Sequence, residues 1–199
     1  VSCPMPAVSI SAPIAVPTES DLLTRVAGGD RMALEELINR YRTLAFRVAY
    51  RLLGSEADAL DAVQNAFIKV VTRLDRFRGP SSFKTWLLRI VSNASLDLGR
   101  QRRRQGRNES QGPVQDCYQL DHRPGPDFEL NRADLRKKID AALARLPDYQ
   151  RQTFVLHVDG ELSYREVAET LGISIGTVMS RLFYARQKLK TLLADQIDP

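Results

Sequence analysis

Apolar residues recur every three or four positions over most of this chain, the spacing of helices that bury one face. Asp21 to Ala27 reads as a short helical piece closed by Gly28-Gly29, and Asp30 is placed to cap the next helix. That helix carries Leu34, Leu37, Ile38, Tyr41, Leu44, Ala45, Val48 and Leu52 on one face and stops at Gly54, where a left-handed residue is wanted. Ser55, with Asp58 three residues on, resembles a capping box whose Glu has been shortened. The helix it opens is expected to bury Leu60, Val63, Phe67, Val70, Val71 and Leu74. A loop with two arginines, a Gly-Pro turn and two serines follows, and Ser81 or Ser82 caps the fourth helix. Phe83, Leu87, Ile90, Val91, Ala94 and Leu98 give that helix its apolar stripe. Arg89, Asn93, Asp97, Arg100 and Arg104 line a polar stripe beside it, with Trp86 on the border. No segment shows a convincing strand alternation.

Two stretches interrupt the pattern. Val1 to Thr18 holds Pro4, Pro6, Pro13 and Pro17, which exclude a regular helix or a central strand. It reads as a flexible leader, with a docking peptide for a partner as the other reading. Gln105 to Asp127 mixes Gly106, Gly112, Pro113, Pro124, Gly125 and Pro126 with polar residues and loses all periodicity, as a linker does. Helical spacing resumes from Leu130 to Leu146 through Leu135, Ile139, Ala142 and Leu143. Pro147 then suits the first turn of a helix bearing Phe154, Val155 and Val158. The expected fold class is all-α: two small helical domains joined by a flexible linker, the second with a helix-turn-helix. The boundaries are a leader over 1–19, a helical bundle over 20–104, a linker over 105–128 and a second domain over 129–195.

The helix-turn-helix is the sharpest local pattern. Ser163 and Glu166 form a capping box; Val167, Ala168 and Leu171 face inward; Gly172 makes the turn. A second helix starts at Ser174 and keeps Val178, Leu182, Ala185, Leu189 and Leu192 on one side. Its outer face presents Gly176, Ser180, Phe183, Tyr184 and Gln187, with Thr177, Arg181 and Arg186 at the flanks. In DNA-binding units of this kind the early part of the second helix enters the major groove. Thr177 and Ser180 suit a base or a phosphate, Arg181 and Arg186 a phosphate, and Phe183 a thymine methyl. For Phe183 and Tyr184 the alternative is packing against a neighbouring helix.

Charge adds to this picture modestly. The 199 residues carry a formal net charge of +5 with a pI near 9.4, compatible with an anionic partner. Its location says more: Arg100, Arg102, Arg103, Arg104 and Arg107 form a cluster with no acid before Glu109. A phosphate backbone selects such a footprint, and a solvated helix end whose cations favour the negative end of the helix dipole is the plainer reading. The two cysteines, Cys3 and Cys117, lie far apart in irregular segments, a pattern that points to neither a disulfide framework nor a metal site, and with only His122 and His157 no zinc constellation assembles. No cofactor and no catalytic residue are expected. No apolar run reaches membrane-spanning length and no secretory signal opens the chain, so no membrane insertion and a cytoplasmic location are expected.

Three motifs, in order, resemble those of the extracytoplasmic-function group of bacterial sigma-70-family sigma factors, which keep only the second and fourth conserved regions. Asp58 to Phe67, DALDAVQNAF, is similar to the family's core-polymerase-binding helix. Phe77-Arg78-Gly79 through Ser82-Phe83-Lys84-Thr85-Trp86-Leu87 resembles the promoter-melting segment. Leu146-Pro147 and Ser163 to Leu189, with its GTVMSRL core, resemble the final region. The resemblance implies that Asp58, Asp61, Gln64 and Phe67 dock on core RNA polymerase. It implies that Arg76, Arg78, Ser81, Ser82, Lys84, Arg89, Asn93, Asp97, Arg100 and Arg104 meet the minus-ten element, where a base leaves the stack at a cost of a few kcal/mol. Ser174, Gly176, Thr177, Ser180, Arg181, Phe183, Tyr184 and Arg186 would read the minus-thirty-five element. The implied partners are core polymerase, promoter DNA and an anti-sigma factor, and control is expected from another molecule because no further domain follows Pro199. The chain departs from the family at Leu60 and Asn65, where acidic residues are frequent, and at Tyr184, where a basic one is. Trp86 is expected as a core anchor, with a melting wedge as the alternative.

Two other functions compete. A helix-turn-helix regulator that never exchanges onto polymerase accounts for the last region and leaves the first bundle's motifs without a role. A nucleic-acid-processing enzyme would need a metal-binding acidic cluster or a nucleophile paired with a base, and the sequence gathers neither.

Overall fold

The computed structural model describes residues 17–74, 77, 82–104 and 126–197. Among them are eight α-helices and no strand: α1 (Glu19–Ala27), α2 (Arg31–Leu53), α3 (Glu56–Arg73), α4 (Phe83–Arg104), α5 (Pro126–Ala144), α6 (Asp148–Val158), α7 (Tyr164–Leu171) and α8 (Ile175–Ile197). The leader up to residue 16, the loop residues Arg76, Arg78 and Ser81, Arg107, both cysteines, His122 and the linker over 105–125 lie outside the described residues. The helices form two compact units, one ending at Leu37 and the other beginning at Ile38 within α2.

In the first unit, Thr18 and Asp21 make a reciprocal capping box that starts α1. The bonds from Thr18 hold the Asp21 carboxyl below the usual carboxylate range. Asp30 caps α2 as expected, its Oδ1 accepting from the amides of Met32 at 2.9 Å and Ala33 at 3.2 Å.

In the second unit, α3 lies along α4. Ala59, Ala62, Val63, Ala66 and Val70 of α3 are buried, as are Phe83, Leu87, Leu88 and Val91 of α4 and Ala45, Val48, Ala49 and Leu52 of α2. Ser82 caps α4, accepting from the Thr85 amide at 3.2 Å. Phe83 is fully buried, and Tyr41, Phe77 and Trp86 surround it with ring centroids 5.5 to 5.8 Å away. Trp86 also lies 5.2 Å from Phe77, so it sits in this aromatic cluster at the border of the stripe, where a core anchor belongs. Further along the chain, Ala142, Leu143 and Leu146 at the end of α5 meet Ala185, Leu189 and Leu192 of α8, with Ile139, Phe154 and Leu193 packed against them. Ser163 and Glu166 complete the capping box of α7, and Gly172 closes it at φ 65°, a conformation glycine adopts without the penalty a Cβ would bring.

The structure corrects several details. Leu60 and Val71 of α3, Leu135 of α5 and Val158 of α6 are exposed, because the buried side of each helix is narrower than the arc its apolar residues span. Helix α4 buries a second face, with Thr85, Leu88, Ser92, Ser95 and Leu96. Asp58 does not reciprocate its cap: Ser55 Oγ accepts from the Asp58 amide at 3.3 Å, while the Asp58 carboxylate turns to Arg102 at 2.6 Å. Helix α5 begins at Pro126, inside the stretch expected as linker, since a first-turn proline forfeits no helical hydrogen bond. Pro147 is the residue before α6, with ψ 142°, and not its first helical residue.

The turn from α6 to α7 is also tight. A Cβ on Gly160 would lie 2.5 Å from the Leu156 carbonyl oxygen and 3.1 Å from Leu88 Cδ1, so only glycine fits against α4 there. Glu161 next to it takes φ 54°, unusual for a residue with a side chain.

Candidate functional site

Three exposed faces carry the residues singled out in the sequence. The first is on α3. Its cap and inner alanines fix the rotation of the helix, and the face turned to solvent holds Asp61 and Gln64. Around them stand three apolar side chains: Leu60 at 51% exposed, Ile68 at 56% and Val71 at 47%. Positions 60, 64, 68 and 71 of a helix share one side, so Gln64 lies within an apolar strip made by Leu60, Ile68 and Val71. Phe67 is half-buried, and Asp58 is taken up by Arg102, so neither belongs fully to this face. The signal for Leu60, Ile68 and Val71 was present in the sequence: apolar residues on α3 cover too wide an arc for a single buried stripe.

The second face is on α4. Arg89, Asn93, Asp97, Arg100 and Arg104 are all exposed and follow one another along one side, as their spacing demanded. Asp97 and Arg100 pair at 3.5 Å, both well exposed, so water screens the pair and either group is readily given up to another partner. Two nearby candidates do not join this stripe. Ser82 is committed to the helix cap, and Lys84 turns to the α6–α7 loop, where Nζ donates to the Glu161 carbonyl at 3.2 Å. Of the arginine tail, Arg102 is held by Asp58 and Arg103 by Asp148 at 2.7 Å, leaving Arg104 as the exposed cation that continues the stripe.

The third face is the start of α8. Ser174 caps it, accepting from the Thr177 amide at 3.1 Å, with the two hydroxyls 2.8 Å apart. Ser180 donates back to the Thr177 carbonyl at 3.0 Å. Arg181 lies over the Tyr149 ring at 5.2 Å, and Arg186 donates to the Tyr164 hydroxyl at 3.4 Å. Phe183 and Tyr184 are exposed, touching edge to face at 5.4 Å, so packing against a neighbouring helix is not their role in this state. Gly176 is also exposed, and a Cβ there would make only an ordinary contact with Ser174 Oγ at 3.8 Å. Met179, not among the residues expected to meet the DNA, is 55% exposed on the same side.

Electrostatically, the Glu166 carboxyl is held below its usual range, first by the Ser163 hydroxyl and amide and then by Lys84. Asp159 behaves oppositely: burial pushes it up although Arg51 and Arg47 stand beside it. Among the described residues no helix is long and apolar enough to cross a membrane.

Comparison with known proteins gives these faces a context. Residues 37–105 match the family model "Sigma-70 region 2", and residues 136–189 match "Sigma-70, region 4". The ECF RNA polymerase sigma factor SigE of Mycolicibacterium smegmatis is 36% identical over 172 residues, 84% of this chain and 65% of that protein. The chain thus spans just under two thirds of that relative. The ECF sigma-E factor of Escherichia coli is 33% identical over 177 residues, covering 86% of this chain and 92% of the relative. Among solved structures, CnrH in complex with the cytosolic domain of CnrY aligns with a TM-score of 0.63 at 27% identity, over 87% of this chain and 96% of that one. The sigma factor RpoE from Bartonella quintana, solved with the anti-sigma factor NepR, gives 0.63 at 25% identity, over 83% and 98%. A regulator with only a helix-turn-helix would leave the region 2 match and the α3 face without a role. With both regions present in order, and with relatives above 30% identity matched over more than nine tenths of their length, the chain belongs to the extracytoplasmic-function group of the sigma-70 family of RNA polymerase sigma factors.

Proposed function

We propose that this protein binds core RNA polymerase, directs it to specific promoters and helps open the minus-ten DNA. The observation that carries the reading is that two sigma-70 regions lie in order in one chain. A domain over 20–104 acts as region 2 and one over 129–195 as region 4. Asp61 and Gln64 dock on polymerase within the apolar strip of Leu60, Ile68 and Val71. The α4 stripe of Arg89, Asn93, Asp97, Arg100 and Arg104, with the loop residues Arg76 and Arg78, meets the unpaired minus-ten strand. Stacking and phosphate contacts made only by the open strand offset the cost of unstacking a base. The start of α8 reads the minus-thirty-five duplex. The protein acts in the cytoplasm as a non-enzymatic subunit, and the complexes formed by its structural relatives favour an anti-sigma partner here too.

The test is reconstitution. Added to core polymerase, the pure protein starts RNA synthesis at discrete sites, and mapping those starts after its overproduction reveals both promoter elements. Failure to bind core overturns the reading.

A further inference from the structure

The polar residues of α8 expected to meet the DNA, Thr177 and Ser180 at a base or a phosphate and Arg181 and Arg186 at a phosphate, are largely engaged inside the protein. Thr177 and Ser180 are bonded within the first turns, Arg181 is drawn aside to Tyr149 on α6, and Arg186 is drawn to Tyr164 on α7. Tyr184 leans the other way, bordering a cleft of about 360 Å³ with Pro147 and Gln187. What remains outermost on one side is apolar. Ile175, Met179 and Phe183 succeed one another by one helical turn, at 46%, 55% and 62% exposed. Cations continue this strip, with Arg186 and Lys190 exposed further along the same side. A purely hydrophobic partner would leave those charges desolvated, whereas a major groove offers phosphates at its rims and, at each thymine, one methyl group on its floor. Gly176 fits the same partner, because a Cβ there would meet nothing closer than Ser174 Oγ at 3.8 Å, so the fold does not require its bareness.

We propose that Met179 and Phe183 set the sequence preference of the upstream promoter element by contacting thymine methyl groups in the major groove. This rests on the reading of α8 as the minus-thirty-five reader. It adds that discrimination there is mainly apolar, with the surrounding cations fixing register on the backbone.

The test is made on the DNA as well as on the protein. Holoenzyme is assembled from core polymerase and the full chain, and its affinity is measured for a promoter mapped as above. Each thymine of the upstream element, on either strand, is replaced in turn by deoxyuridine, which removes the methyl and nothing else. One or two positions are expected to lose about fourfold in affinity, the effect of one buried methyl. With Met179→Ala or Phe183→Ala holoenzyme, the matching position becomes indifferent to the replacement. Both side chains are exposed, so circular dichroism of the variants is expected to be unchanged. An upstream element without an A·T pair, no loss on any replacement, or a loss that persists in both variants overturns the proposal. Unchanged promoter preference in both variants also overturns it and assigns the strip to a protein partner. Indifference to scrambling of the whole upstream element, in contrast, would mark failure of the minus-thirty-five reading itself.

Discussion

At the scale of single residues, Asp58 and Arg102 are charges that meet each other inside the fold. Each carried an intermolecular role in the sequence, Asp58 toward polymerase and Arg102 within a phosphate-binding cluster. In the fold they lie 2.6 Å apart with side chains 18% and 24% exposed. The pair joins the start of α3 to the end of α4, a contact between residues 44 positions apart that no local pattern announces. Arg102→Gln is therefore expected to lower stability by about 1 kcal/mol, a figure reduced for the residual exposure of the pair. Its effect on the salt dependence of promoter binding should be small. Arg104→Gln is expected to do the reverse, leaving denaturant midpoints unchanged while making the slope of log affinity against log salt shallower by about one unit. Chemical denaturation and a salt titration of the two variants separate the roles, and a steep loss of slope in the Arg102 variant would contradict this division.

At the scale of elements, caps and turns were legible because they depend on neighbours within four residues. Ser163 with Glu166, Asp30, Ser82 and Gly172 all occupy the positions their chemistry predicted. Periodicity also located the inner stripe of α8, with Val178, Leu182 and Ala185 buried. It did not tell how wide the buried side of α3 is, since that depends on which helices cover it. Hence Leu60 and Val71 were expected inside and stand outside. Leu60→Ser and Ile68→Ser are expected to leave stability within about 0.5 kcal/mol, as exposed positions do, yet to weaken binding to core polymerase about tenfold each. Thermal melting and competition for core against a labelled copy of the chain read the two effects apart. The capping box of α7 makes a second prediction. Ser163→Ala should cost about 1 kcal/mol. Because the Glu166 pKa is lowered in the fold, its contribution is fully present above the ordinary glutamate range and is lost as pH falls through the depressed value. Glu166→Gln should therefore flatten the acid limb of the stability profile, and an unaltered limb would place that proton uptake elsewhere.

At the scale of the whole molecule, the polar contacts of the α6–α7 loop decide how the second compact unit holds together. Arg47 donates to the Asp159 carbonyl at 2.7 Å and to Glu161 at 2.9 Å; Arg51 pairs with Asp140 and, at 3.4 Å, with Asp159; Thr85 Oγ1 lies 3.4 Å from Glu166. These partners are 81 to 114 positions apart, which is why sequence periodicity was silent about them. Burial raises the Asp159 pKa even beside two arginines, so in this site desolvation outweighs attraction for the carboxylate. Such a pair is asymmetric toward mutation. Asp159→Asn removes a charge the site accommodates poorly and should cost about 1 kcal/mol or less. Arg51→Gln strands two carboxylates and should cost about 2 to 3 kcal/mol, the lower part of the range for breaking a buried pair. The two variants also diverge with pH. The raised Asp159 pKa means that its ionisation in the fold subtracts stability as pH rises from the ordinary aspartate range through the raised value. That subtraction deepens in Arg51→Gln, where the opposing guanidinium is gone, and disappears in Asp159→Asn. Urea titrations from pH 4 to 8 would show it: Arg51→Gln falling further below the parent as pH rises, Asp159→Asn gaining on the parent. Equal losses in the two variants at every pH would mean that the Arg51 contacts hold the loop by geometry alone.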